Sequence, residues 1–118
     1  MLIGTSNKVR INSNLSTNKI TPTISSNVAV NYLTIYRVGK IVHVSGHIYK
    51  NIVESNWVTI ATGLPKAIEE TRFIHVQNNG ITESGKITVD GELCLYRKHK
   101  SGENNVTSEF NLTYVTSE

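Results

Sequence analysis

The sequence predicts an all-β domain, built as an antiparallel β-sandwich or a jelly-roll-like fold. Apolar and polar residues alternate over several long segments, which is typical of half-buried strands. Turn signals built on Gly, Asn and Asp recur between these segments every ~8–12 residues, so about seven to nine strands are expected. The 118-residue chain is rich in Asn, Ser and Thr and contains only two prolines. This composition favours strands and turns over helices.

The N-terminal part differs from the rest of the chain. Residues 1–27 are polar and are predicted to form a neck or linker, which can carry a short strand, ahead of a head domain over residues 28–118. Alternation within the neck is confined to residues 8–11 and 19–24. Pro22 restricts the second of these segments to an edge strand or a bulge, because proline cannot donate to a sheet ladder.

The head domain opens with a predicted hairpin. Residues 28–36 and 42–48 alternate strictly, and the Gly-Lys pair at 39–40 supplies a tight turn between them. A third strand is predicted over residues 57–62. It ends sharply at the Gly-Leu-Pro of residues 63–65.

The second half of the chain continues in the same way. Residues 66–70 are long enough for one helical turn but not for a stable helix. A strand over residues 72–77 leads into an Asn-Asn-Gly turn at 78–80. Residues 101–107 are polar and predict a loop, and a final strand is predicted over residues 110–115.

The clearest hairpin signal lies between residues 86–89 and 92–97, two alternating runs joined by Asp90 and Gly91. An Asp-Gly pair in this position favours a two-residue turn in which both central residues have positive φ. The sequence therefore predicts a hairpin with such a turn.

Charge and hydropathy argue against two classes of partner. The formal net charge is only +3, and the one basic cluster, residues 97–100 with Lys86 upstream, is predicted to be a solvated hairpin end. A nucleic-acid site would be denser and interleaved with aromatic residues. No apolar run approaches the ~20 residues that span a bilayer. We therefore predict neither nucleic-acid binding nor membrane insertion.

Catalytic motifs are missing as well. Cys94 is the single cysteine, and its place in an alternating run predicts a buried residue rather than a nucleophile. Neither a nucleophile elbow nor a phosphate-binding Gly-rich loop is present. Asp90 is explained by its turn, and adjacent carboxylates such as Glu69 and Glu70 point apart in regular structure. The sequence therefore predicts no enzyme and no cofactor.

Three histidines are candidates for the ligands of a metal site. His43 and His47 are four residues apart on one strand and share a face, and His75 lies on another predicted strand where it can join them. A zinc site needs three or four convergent ligands. The alternative is that these side chains form ordinary hydrogen bonds on a solvent or interface face, and on this basis no metal site is predicted.

An ordered set of segments resembles a known family. The set consists of Tyr-Arg-Val-Gly-Lys at 36–40, Val-His-Val-Ser-Gly at 42–46, Gly-Leu-Pro at 63–65, the Asp-Gly hairpin at 87–93 and Phe-Asn-Leu-Thr-Tyr-Val at 110–115. Over residues 20–118 the chain resembles the receptor-binding head domains of tailed-bacteriophage tail fibres and baseplate proteins, particularly those of phages that infect Gram-positive bacteria. In one respect it departs: residues 66–70 replace the Gly and aromatic-Arg-Pro sequence that often follows Leu-Pro. We therefore carry no ligand site onto that loop.

This resemblance implies a function and a location. It implies a homotrimer on the virion, at the tail tip or baseplate, that works with other tail proteins and binds a host cell-surface polysaccharide or other receptor without catalysis. Two alternatives remain open. The domain can be a trimerisation or baseplate-assembly module with no ligand of its own, or an accessory domain of a bacterial carbohydrate-processing protein.

Saccharide binding suggests candidate residues, because sugars need an aromatic platform and planar polar side chains. The candidates are Trp57, Arg72, His75, Asn78, Asn79, Tyr96 and His99, with Tyr49 as a further aromatic residue. Core packing is an equally good explanation for Trp57. Since exposed loops carry binding residues more often than strands do, the predicted site centres on loops 50–56, 77–84 and 98–105.

Overall fold

The computed structural model describes residues 17–118, which form nine antiparallel strands in one curled sheet. The strands are β1 (Asn18–Lys19), β2 (Thr23–Ile24), β3 (Ala29–Val38), β4 (Ile41–Asn51), β5 (Asn56–Thr62), β6 (Thr71–Gln77), β7 (Thr82–Ile87), β8 (Leu93–Arg97) and β9 (Asn105–Val115). The predicted all-β fold class is confirmed. The alternating segment at 8–11 lies outside the described residues.

The sheet folds on itself between β9 and β6. Its strand order is β1-β3-β4-β9-β6-β7-β8-β5-β2. Strand β9 pairs with β4 along its whole length, but with β6 only where Val76 faces Glu109 and Gln77 faces Ser108. Because the two strands part beyond that point, β1, β3, β4 and β9 form a first layer that faces a second layer of β6, β7, β8, β5 and β2.

Apolar side chains from both layers fill the space between them. The alternation of β4 is confirmed, since Val42, Val44 and Ile48 are all fully buried. The remaining members of the cluster include Ile35, Phe110, Leu112 and Tyr114 from the first layer and Ile60, Ala61, Ile87, Leu93 and Leu95 from the second. Burial of these side chains is the main favourable contribution to folding.

Two phenylalanines join the layers near the fold of the sheet. Phe110 lies opposite Gly46 in the β4–β9 pair, and Phe73 lies opposite Gly85 in the β6–β7 pair. The two rings contact each other with centroids 5.8 Å apart. A Cβ atom on either glycine would overlap the ring of its cross-strand partner. Each glycine therefore leaves the space that its phenylalanine occupies.

Residues 17–28 cross the open side of the sandwich. Strand β1 pairs with β3 and strand β2 pairs with β5, so one short segment touches both outer edges of the curled sheet. The amide of Ile20 donates to the carbonyl of Ile35 at 2.8 Å, and Ser25 donates to Ile60 at 3.0 Å. Part of the predicted neck thus covers edges that would otherwise expose unpaired backbone groups.

Both predicted hairpins form, but one turn differs from the prediction. The turn at Gly39 has the two-residue length, with φ 61° at the glycine. At the second hairpin only Gly91 has positive φ, at 79°, and Asp90 does not. Thr88 accepts from the amide of Gly91 and donates to the carbonyl of Glu92, both at 3.0 Å. This is a longer turn closed by a left-handed glycine, so the predicted two-residue geometry was wrong.

Two strand boundaries and one predicted helical turn also differ from the prediction. Strand β7 begins at Thr82 rather than near Lys86, and β9 begins at Asn105 rather than at Phe110. The early residues of both strands are polar and carry little alternation, and their neighbours β6 and β4 supply the pairing. The predicted helical turn at 66–70 was wrong, because Ala67 bridges to Thr116 instead. Within residues 17–118, no helix has the length and apolar character needed to cross a membrane.

The contact between Gly85 and Phe73 predicts a measurable coupling. Gly85→Ala should lower the free energy of unfolding by about 1–3 kcal/mol, because the new methyl group overlaps the ring. In a Phe73→Leu background the same change should cost at least ~0.5 kcal/mol less. Urea unfolding of the two single variants and the double variant measures this coupling. Additive costs would contradict the proposed contact.

Candidate functional site

The three loops predicted to carry the site meet at one end of the sandwich, which we call the loop end. Strands β4, β6 and β8 finish there, and β5, β7 and β9 begin there. The amide of Ile52 donates to the carbonyl of Asn104 at 2.9 Å, and the amide of His99 donates to Ser55 Oγ at 2.8 Å. The loops are therefore held to one another as well as to the sheet.

Arg97 anchors the loop end from inside. Its side chain is only 1% exposed, and its Nη1 and Nη2 donate to the carbonyls of Lys50 and Val106, both at 2.6 Å. Its Nε donates to Ser108 Oγ at 3.1 Å. One side chain of β8 thus binds the end of β4 and the start of β9, which belong to the other layer.

The charge of Arg97 has no acidic partner in the part of the chain that the structure describes. Burial lowers the pKa of the guanidinium to about 10, which still leaves it protonated at neutral pH. The two carbonyl oxygens and one hydroxyl compensate for its lost hydration, since hydrogen bonds to a charged donor are stronger than neutral ones.

Side chains of β6 hold the end of β8, where it leaves β7. The side chain of Gln77 forms the two hydrogen bonds that a neighbouring strand would form with Lys98. Its Oε1 accepts from the Lys98 amide at 2.8 Å, and its Nε2 donates to the Lys98 carbonyl at 3.0 Å. His75 Nε2 lies 2.7 Å from the Tyr96 carbonyl. Because a carbonyl can only accept, that nitrogen carries the proton.

His75 was predicted to contact ligand, and the structure places its ring in the interior with 0% exposure. Burial lowers the pKa of His75 below its ordinary value, and the charge of Arg97 acts in the same direction. The ring is therefore neutral near pH 7. It supports the loop end through its hydrogen bond to the Tyr96 carbonyl of β8.

A groove lined mainly by asparagines opens at the loop end. Its volume is about 290 Å³, and we call it the asparagine groove. The lining residues are Asn78, Asn79, Gly102, Glu103, Asn104, Asn105 and Val106. Two predicted site residues thus lie in its wall. A third, His99, stands beside it, with Nε2 2.9 Å from Asn104 Oδ1.

The other predicted residues form a separate group on the outer face of the second layer, the tryptophan cluster. Trp57 is 39% exposed, so it is not a core residue, and its ring meets that of Tyr96 at 5.6 Å and 70°. Lys86 Nζ lies 4.4 Å and Arg72 Cζ lies 5.3 Å from the centre of the indole ring. These are cation–π distances.

Glu70 joins the cations of the tryptophan cluster. It contacts Arg72 Nε at 2.8 Å and Lys86 Nζ at 4.0 Å. Two positive side chains therefore share one carboxylate, and the cluster keeps a net positive charge beside an exposed aromatic ring.

The histidines of β4 are not brought together with His75. His43 and His47 lie on the outer face, where His43 Nδ1 is 3.2 Å from Thr113 Oγ1 and His47 Nδ1 is 3.1 Å from Asn31 Nδ2. Among residues 17–118 no three His, Cys, Asp or Glu side chains are arranged to hold a metal ion.

Cys94 is buried, as predicted. Its Sγ lies 3.6 Å from Thr59 Oγ1, and burial is the main factor that raises the pKa of the thiol. The thiolate needed for nucleophilic attack is therefore disfavoured.

Arg97 is the main residue that sequence reasoning misplaced. It was assigned to a solvated basic cluster, but it is buried. The signal was available in its spacing, because Arg97 shares the parity of the buried residues Leu93 and Leu95. Gln77 likewise shares the inward parity of Phe73. For both residues the polar side chain favoured an exposed position, whereas the alternation of the strand predicts a buried one.

Comparison with known proteins identifies a similar fold. The sequence matches no protein-family model and no curated protein. The structure is similar to the crystal structure of the receptor binding protein gp15 of Listeria phage PSA, with a TM-score of 0.68 and 16% sequence identity over 97% of this chain and 73% of that chain. At this identity the similarity establishes the fold. The resemblance to a receptor-binding protein of a phage with a Gram-positive host is thereby confirmed at the level of the fold.

The role of Arg97 can be tested with a conservative substitution. Arg97→Lys keeps the charge but cannot reach all three acceptors, so we expect a loss of about 1–3 kcal/mol for each carbonyl left without a donor. Arg72→Lys on the exposed outer face is the matched control and should change stability by less than about 0.5 kcal/mol. Urea unfolding measures both. Equal stabilities of the two variants would show that Arg97 is not an anchor.

Proposed function

We propose that this domain attaches a phage particle to its bacterial host by binding a cell-surface saccharide without catalysis. The observation that carries the proposal is the fold, which matches a phage receptor binding protein over 97% of the chain. The proposal includes a Gram-positive host and a position at the tail tip or baseplate, beside other tail proteins, and the same similarity supports them.

The asparagine groove is the proposed primary binding surface. Carboxamide side chains both donate and accept hydrogen bonds, which suits the hydroxyl groups of a sugar. Asn78 and Asn79 supply two of these groups, and His99 stands at the rim. The groove rests on backbone held by Arg97, Gln77 and His75, so its walls are fixed before a ligand arrives.

The tryptophan cluster is a second proposed contact for the same polymer. The partly exposed indole of Trp57 offers an aromatic surface for a sugar ring, and the cationic side chain of Arg72 lies beside it. The ring of Tyr96 packs against the indole in a T-shaped arrangement. A chain of sugars can therefore touch the domain at two separated places, which raises avidity.

Three features support binding without turnover. Cys94 is covered and remains a thiol. The lining of the asparagine groove contains one carboxylate, Glu103, whereas glycoside hydrolysis ordinarily uses a pair. In the tryptophan cluster the carboxylate of Glu70 is engaged by two cations.

A homotrimer is part of the proposal. Outside the crease between β9 and β6 lies a cavity of about 410 Å³ lined in part by Tyr32, Ile74 and Val76. Ile74 is 61% exposed, and Val76 and Tyr32 are each somewhat less than half exposed. Exposed apolar surface of this kind marks contact sites, so this surface is the proposed contact between copies.

Cell binding tests the proposal. The labelled domain should bind a Gram-positive host and should be displaced by purified cell-wall polysaccharide of that host. Removing loop-end side chains with Asn78→Ala and His99→Ala should weaken binding about tenfold or more. His43→Ala, on the outer face of β4, is the control and should leave binding unchanged.

The outcomes also separate the rival assembly role. A contrary result would be that the domain binds no cell in a broad Gram-positive panel and instead captures another tail protein. That result would contradict the attachment function and support an assembly role. Sedimentation of the domain reports the oligomeric state independently. A trimer that Ile74→Glu dissociates is the expected result, and a monomer would remove the trimer from the proposal.

A further inference from the structure

We propose that acid releases the loop end through His75: a proton taken up by this buried ring frees the end of β8, so that attachment to the host weakens as the medium becomes mildly acidic. This inference rests on the proposed attachment function and concerns the regulation of the same site. It depends on how the ring is enclosed and on what its two nitrogens contact.

The two ring nitrogens of His75 have different surroundings. Nε2 donates to the Tyr96 carbonyl at 2.7 Å, so the neutral ring carries its proton there. Nδ1 is shielded from solvent and has no hydrogen-bond partner among the described residues. A second proton would have to sit on Nδ1, where it would be a buried donor without an acceptor. The closed loop end therefore accommodates the neutral ring and disfavours the charged one.

The charges around His75 do not compensate for this. Burial is the largest influence and lowers the pKa of the ring, and the charge of Arg97 on β8 acts in the same direction. The backbone hydrogen bond and Glu83, which is opposite His75 in the β6–β7 pair, act the other way without cancelling the effect of burial. Glu109 of β9 faces outward, and Lys50 of β4 approaches through its carbonyl, which Arg97 binds.

Proton uptake is therefore coupled to opening of the loop end. Because the ring of His75 is closed to solvent, it takes up a proton in a form in which the end of β8 has moved away. In that open form a histidine titrates near its ordinary pKa of ~6.5. Each pH unit below that value raises the population of the open form relative to the closed form by up to about tenfold. Above that value the closed form keeps its full stability.

The end of β8 is the part that this proton would free. On the β7 side its backbone ladder stops before Tyr96. Beyond that point, among the described residues, side chains of β6 hold this edge: His75 binds the Tyr96 carbonyl, and Gln77 binds both backbone groups of Lys98. One of these two attachments depends on a neutral ring.

Release of Tyr96 would reach the proposed binding surface. Arg97 follows directly in the chain and carries the hydrogen bonds to the carbonyls of the facing layer. The next loop, residues 98–105, supplies residues 102–105 to the wall of the asparagine groove. If this loop moves, the groove loses part of its wall, so ligand affinity falls with the population of the closed form.

Hydrogen exchange of the full chain at pH 7.5 and pH 5.0 tests the release. Rates are compared as protection factors, so that the intrinsic pH dependence of exchange cancels. Protection of the amides of residues 96–104 should fall by about tenfold or more in the wild-type chain. His75→Gln should lose less than about threefold, because a carboxamide can donate to the Tyr96 carbonyl but does not titrate in this range. Equal losses in the two proteins would overturn the inference.

A control and a second measurement keep the test decisive. His43→Gln makes the same change on the outer face of β4 and should keep the wild-type response to acid. If His75→Gln does not fold, the ring protons of His75 in the wild-type chain report its titration by NMR. They should titrate below pH 6.5, together with the loss of protection. Titration at pH 6.5 or above, with unchanged protection of residues 96–104, would also overturn the inference.

Binding of purified host wall polysaccharide connects the release to attachment. Between pH 7.5 and pH 5.0 the wild-type affinity should fall at least threefold more than that of His75→Gln, and an equal fall would contradict regulation through His75. A chain that binds no host polysaccharide or cell at pH 7.5 refutes the proposed function. The protection factors need no ligand, so they decide separately whether acid releases the loop end.

Discussion

The loop end of this sandwich depends on the buried guanidinium of Arg97. No backbone ladder joins β8 to β4 or β9 at this point, yet Arg97 reaches the carbonyls of Lys50 and Val106 across the layers. A neutral or shorter side chain would leave buried acceptors without donors. Because loops 50–56 and 98–105 start or finish at these carbonyls, their positions follow from this one set of hydrogen bonds.

The rest of the fold brings Arg97 to its acceptors. Phe73 and Phe110 hold the two layers together at the crease, over glycines that leave room for the rings. The side chains of Gln77 and His75 hydrogen-bond to the backbone of Lys98 and Tyr96, beyond the last residue of β8 that pairs with β7. A rigid double layer that ends in three fixed loops is the common plan by which sheets present binding residues.

Much of this architecture could be predicted from the sequence, because alternation and turn residues are local signals. The hairpin at Gly39, the strand after Asn56 and the three loops all followed from spacing. The tryptophan cluster did not, since it needs β5, β8, β7 and β6 to lie side by side. The alternation of β8 predicted the burial of Arg97, but its charge favoured exposure, and its acceptors on β4 and β9 could not be identified from residue type.

We propose that the loop end binds a saccharide of the host surface. The most direct measurement is hydrogen exchange of the domain, free and saturated with purified host wall polysaccharide. Slower exchange at residues 77–80 and 98–105, with any further protection limited to the strands that carry the tryptophan cluster, is the predicted result. Protection confined to the outer faces of β3 and β4, or no protection under saturating conditions, would contradict it.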